Sequence, residues 1–153
     1  MAGNTPRKKI NALFPITAAN LSLIAITSPE DWRYNCVAWA AGITNDWLEP
    51  SPAGNWPIAK SGFDVAAYAE MFASFGYADC RDGSIEPGME KIVIYGDNNG
   101  QFRHVARQLA DGRWTSKLGE LSDIRHKTPS LLSSSGYGKP LRYMWRPIPL
   151  TST

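Results

Sequence analysis

Two residues in this chain, Cys36 and His104, have types and settings suited to covalent chemistry. Cys36 follows Asn35, a residue type that caps helices by accepting from their first free amides. The residues after it (Val37, Ala38, Ala40, Ala41) are small or apolar, and they suit a short buried helix that stops at Gly42. A cysteine in the first turn of a helix meets unpaired N–H groups and the positive end of the helix dipole. That setting favours thiolate over thiol, and thiolate is the nucleophile. The same N–H groups are placed to hold the oxyanion of an acyl-transfer intermediate. A base must then take the thiol proton and return it to the leaving group. His104, at the start of a strand just past the turn Asp97-Asn98-Asn99-Gly100, is the candidate. The plainer alternatives are a small buried hydrophobe for Cys36 and a locally bonded strand residue for His104.

A third polar group usually fixes the imidazole tautomer. If Asp111-Gly112 is a two-residue hairpin turn, Ala110 faces Arg113, and Thr115 and Lys117 share the face of His104. One β-bulge would shift the parity and bring Ser116 round instead. Ser116 is therefore carried as the third catalytic candidate, with Thr115 beside it and Asp123 and His126 as loop alternatives. His126, inside Arg125-His126-Lys127, reads as solvated. Cys80 reads as a structurally buried cysteine, and two cysteines support neither a disulfide scaffold nor a zinc pattern. No cofactor or metal is expected.

The elements that must position these residues come next. Residues 1–30 read as an irregular leader packed on the domain, and residues 31–153 as the domain itself. Ser28-Pro29-Glu30-Asp31 has the form of a helix start. Residues 44–62 form a long loop with Trp47 and Trp56, which either wall a cleft or pin the loop to the core. Apolar residues recur at helical spacing from Phe63 to Phe75, ending at Gly76. Strands are expected over Lys91–Tyr95, His104–Leu109, Arg113–Lys117 and Leu141–Arg146. Helices first and an antiparallel meander after them predict an α+β domain: N-terminal helices packed on a small antiparallel β-sheet.

Composition narrows the function classes. The chain has 153 residues, 43% of them hydrophobic and 20% charged, which suits one globular domain able to bury a core. A net charge of +2 is too small to argue for nucleic acid or a membrane surface. The basic run Arg7-Lys8-Lys9 reads as a solvated terminus. No stretch approaches the ~18 apolar residues of a membrane span. The stretch from Ile10 to Ile26 is broken by Pro15, Thr17, Asn20 and Ser22, so it lacks the apolar centre of a signal peptide. A cytoplasmic location is the default, and export without a cleaved signal stays open.

The run Tyr34-Asn35-Cys36-Val37-Ala38-Trp39-Ala40, followed by a strand and then His104-Val105-Ala106-Arg107, resembles the NlpC-type papain-like cysteine amidases and peptidases. The segment Arg107 to Gly119 also resembles a bacterial papain-like group. The resemblance spans roughly residues 30–120. It implies a helix carrying the nucleophile, a sheet carrying the base, and a third polar residue on the next strand. The implied activity is hydrolysis of an amide bond in a peptide, protein or peptidoglycan-type substrate, with Cys36, His104 and Ser116 as the catalytic set. The family's usual Asp-Cys-Ser-Gly box is replaced here by Asn35-Cys36-Val37-Ala38. Transfer of the acyl group to an amine, or a binding module that has lost catalysis, are the alternatives.

Overall fold

The structure, a computed structural model, describes residues 21–149. The basic run Arg7-Lys8-Lys9 and most of the leader lie outside the described residues. Seven strands form one antiparallel sheet: β1 (Ile24–Ile26), β2 (Ala78–Cys80), β3 (Met89–Gly96), β4 (Phe102–Gln108), β5 (Trp114–Lys117), β6 (Asp123–His126) and β7 (Lys139–Pro147). Their spatial order is β1-β6-β5-β4-β3-β7-β2. Two short α-helices, α1 (Cys36–Ala40) and α2 (Val65–Ala73), lie on one face.

The expected architecture of N-terminal helices on a small sheet is overturned. The sheet is the body of the molecule, and helix is the minor component. Three local causes account for the difference. The helix start at Ser28-Pro29 is not used, because the Ser28 hydroxyl accepts from the Asp123 amide (2.9 Å) and donates to the Pro29 carbonyl (2.9 Å). It stitches the chain to β6 and caps no helix. Residues 24–26, inside the stretch read as irregular, pair with β6 as an edge strand. The segment Asp123–His126 reads as polar loop but is a strand with Asp123, Ile124 and His126 all buried.

Both helices start on side-chain caps. The Asn35 side chain accepts from the Ala38 amide and the Asp64 side chain from the Ala67 amide. On the face they cover, Val37, Ala38, Met71 and Phe72 pack against Ile92, Ile94 and Val105. The opposite face buries Val93, Tyr95, Ala106, Trp114, Ile124 and Leu132. The alternation Ile92, Val93, Ile94, Tyr95 between these two cores is the strand period of two with both faces covered.

The β4–β5 turn fixes which residues share a face. Leu109 donates to the Arg113 carbonyl (2.7 Å) and Gly112 to the Leu109 carbonyl (3.0 Å). The loop therefore holds three residues, with Gly112 at φ +91° in the left-handed region. The register is Arg107↔Thr115 and Gln108↔Trp114, one step from the two-residue reading. That step puts Thr115 on the α1 face and Ser116 on the face of His104.

The turn before β7 shows the closest backbone approach. Gly138 has φ +70°, and a Cβ there would fall 2.3 Å from the Gly96 carbonyl oxygen. Gly138→Ala is expected to destabilise the domain by about 2–3 kcal/mol. A urea midpoint equal to that of the parent protein would refute this close approach.

Candidate active site

Cys36 is the first residue of α1, and Asn35 holds that helix start in place. Asn35 Oδ1 accepts from the Ala38 amide (3.1 Å) and the Leu48 amide (3.2 Å), while its Nδ2 donates to the Leu48 carbonyl (2.8 Å). One buried side chain thus caps the helix and pins the 44–62 loop against it. The backbone amides of Val105, Val37 and Cys36 itself lie near enough to the Cys36 sulfur to favour its charged form. Leu109 donates toward β5, so the odd-numbered amides of β4 point to that side. β5 has already left the pairing at Val105, since the ladder contains only Arg107↔Thr115 and Gln108↔Trp114. The thiol occupies the edge that β5 vacates.

Burial pushes the Cys36 thiol up to about 11, against the backbone amides and the Lys117 charge, which act to lower it. At neutral pH the resting group is a neutral thiol. This differs from the thiolate expected at a helix start. The helix has only five residues and its first turn sits in the core, so desolvation outweighs the dipole.

His104 lies one peptide link from the Val105 amide beside the thiol. Its ring rises on the face away from α1, stacked on Tyr137 (centroids 4.8 Å, planes 5° apart) and tilted against Tyr95 (5.2 Å). Its Nε2 is buried with no hydrogen-bond partner. Burial, helped by the nearby His126, pushes His104 down to about 3, so the resting imidazole is neutral. Among the described residues no hydrogen bond joins His104 to Cys36.

Ser116 is fully buried on the face of His104 but does not orient it. Its Oγ lies 2.8 Å from His126 Nε2, and His126 Nδ1 lies 2.9 Å from the Thr128 carbonyl. A carbonyl only accepts, so Nδ1 carries the proton and Nε2 accepts from the serine hydroxyl. The expected role of Ser116 as the orienting third member is corrected accordingly. Thr115 is also committed elsewhere: it accepts from Trp39 Nε1 (3.0 Å) and donates to the Ile124 carbonyl (3.0 Å). His126, expected in solvent, is fully buried and held down at about 4 by desolvation. Asp123 accepts from Thr27 Oγ1 and Tyr34 Oη on the α1 side.

Lys117 is wholly buried. Its ammonium donates to the carbonyls of Asp31 and Gly119 and lies over the Tyr34 ring (4.8 Å). It ties the segment entering α1 to the end of β5 and places a positive charge in the field of Cys36. A lone lysine in a short strand carries no sequence signal for this. Arg107, one pleat below Val105, lies over the Trp39 ring (4.9 Å) with its Nε buried and unpartnered.

A family model described as a domain of unknown function, DUF7689, matches residues 25–145. The chain belongs to that family. The DUF7689 match runs from β1 into β7, so Cys36, His104, Ser116, Lys117 and His126 all lie within it. No curated protein and no solved structure matches the chain. Among the described residues no helix is long and apolar enough to cross a membrane, and no three metal-ligating side chains converge. Cys36 and Cys80 are both free thiols; Cys80 is half-buried on the edge strand β2 rather than in the core.

Proposed function

We propose that this protein is a thiol-dependent hydrolase of an amide bond, peptide or peptidoglycan in type, with Cys36 as nucleophile. The observation that carries the reading is the setting of the Cys36 sulfur. It sits at an Asn35-capped helix start beside the Val105 amide, while the expected base, His104, has its ring on the opposite face of the sheet against Tyr95 and Tyr137. The thiol rests neutral, so deprotonation accompanies attack rather than preceding it. The sulfur forms a bond to the substrate carbonyl carbon as its proton passes to the substrate's amide nitrogen. The C–N bond then breaks and the amine leaves with that proton. Water then hydrolyses the thioester, releasing the acid and returning a proton to the sulfur. Helix-start amides beside the sulfur are the oxyanion donors. An amine in place of water would give transamidation by the same steps.

A non-catalytic binding module is the second reading. It is favoured by the low basicity of His104 and by the commitment of Ser116 to His126.

The deciding measurement pairs intact-mass detection of an acyl group after exposure to p-nitrophenyl acetate with cleavage of peptide and peptidoglycan fragments. The hydrolase reading expects one acyl group, carried on Cys36. It also expects Cys36→Ala to lower cleavage by about three orders of magnitude or more. Equal acylation or equal cleavage by Cys36→Ala would reject the nucleophile.

A further inference from the structure

We propose that the cleft between the segment entering α1 and the 44–62 loop is a subsite for a cationic side chain, a lysine or arginine of a peptide. The cleft has a volume of about 680 Å³ and is walled by Trp32, Arg33, Trp47, Glu49, Ala53 and Glu120. It is braced by bonds that also fix the nucleophile. Asn35, which caps the helix of Cys36, holds both backbone groups of Leu48, the residue between Trp47 and Glu49. The Asp31 amide donates to the Glu120 carbonyl (3.2 Å) and closes the opposite end.

Its chemistry selects the ligand. The Trp32 ring is 74% exposed, the most exposed of the large hydrophobic residues, and no internal packing accounts for it. Trp47 Nε1 reaches toward Glu49 Oε1 (3.5 Å), which keeps a carboxylate beside the indole. The one cation in the wall, Arg33, is held by Asp31 (2.7 Å). Among the described residues neither Glu49 nor Glu120 has a salt-bridge partner. Glu49 also accepts from Ser51 Oγ, and Glu120 lies in the field of Lys117, but neither is in an ion pair, so two indoles and two carboxylates around one opening favour a cation over an acid. A neutral apolar side chain would meet the rings but gain nothing from the charges.

The role of this group as part of a substrate rests on the proposed function; its binding does not. The test therefore uses the full chain carrying Cys36→Ala. It titrates acetyl-Ala-Lys-Ala-amide and its norleucine and glutamate counterparts, followed by tryptophan fluorescence and calorimetry. The lysine peptide is expected to bind about tenfold more tightly than the norleucine peptide. That advantage should shrink with added salt and vanish in the Glu49→Gln, Glu120→Gln double variant. Both glutamates are at least partly exposed, so the double variant should keep the parent's thermal midpoint. Equal affinities for the lysine and norleucine peptides, or an advantage that survives the double substitution, would overturn the subsite. Selective binding by a protein whose parent cleaves none of the peptides rejects the hydrolase and keeps the subsite. Cleavage with no preference for lysine, together with unselective binding, does the reverse.

Discussion

Between about pH 6.5 and 4.5 the domain should lose on the order of 5 kcal/mol of stability, because two buried histidines stay neutral in the fold and charge in the unfolded chain. Burial holds His104 at about 3 and His126 at about 4. In the unfolded chain both return to about 6.5. Their folded values are depressed, so the unfolded state binds more protons as the pH falls. Their contribution is present in full above about pH 6.5 and is lost as the pH drops toward the folded values. Two protons correspond to a slope of about 2.7 kcal/mol per pH unit in this window. A single domain has roughly 5–15 kcal/mol in all, so unfolding near pH 4–5 is the expected result.

The environment of the two rings leaves little room for relief. His104 stacks on Tyr137 and His126 lies against Ser116, the Thr128 carbonyl and its cross-strand neighbour Trp114. No carboxylate is among these contacts to welcome an imidazolium. The surface aspartates with lowered values, such as Asp97, which accepts from the Gln101 and Asn99 amides and from Arg103, lose their partners' help only below about pH 4 and fall outside the window. Urea unfolding at half-unit pH steps measures the slope. A midpoint that stays flat from pH 6.5 to 4.5 would show that the two histidines are not held neutral by the fold.

Asn35→Ala should be the most damaging single substitution near the candidate site, costing roughly 3–5 kcal/mol. The change strips partners from the Ala38 amide, the Leu48 amide and the Leu48 carbonyl in a buried setting. A cap alone contributes about 1 kcal/mol, and each stranded buried group adds about 1–3 kcal/mol. Asn35→Ser separates the two parts of the effect. Its hydroxyl can still cap the Ala38 amide but is too short to hold Leu48, so it should cost less than alanine. Thermal or urea denaturation gives the comparison. An alanine variant within about 0.5 kcal/mol of the parent would mean that Asn35 does not join the helix start to the loop.

How much of this was legible in the sequence follows from the range of each interaction. The start of α1 at Cys36 and the Asn35 cap were readable, because a cap depends on residues three apart. The helix Val65–Ala73 and the central strands β3, β4 and β7 were readable from period and length. The strands β1 and β6 were not. They have three and four residues, and the polar side chains of Asp123 and His126 find their partners only across the sheet. Missing them turned a seven-stranded sheet into a small one and moved the fold class with it. Ser116 arrived on the face of His104 through a three-residue loop, a parity that one residue decides.

The sequence by itself therefore determined a capped cysteine, a histidine on a strand and the strands at the centre of the sheet. Each of these is set by neighbours along the chain. Only the tertiary structure decided the rest. It set the Cys36 thiol at the free edge of β4, kept both the thiol and His104 neutral by desolvation, and gave Ser116 to His126. It also buried the charge of Lys117 behind the nucleophile. The physical reason is that burial, strand parity and internal polar pairing depend on segments up to about a hundred residues apart. Local patterning says which groups are available for chemistry, and packing sets their protonation and partners.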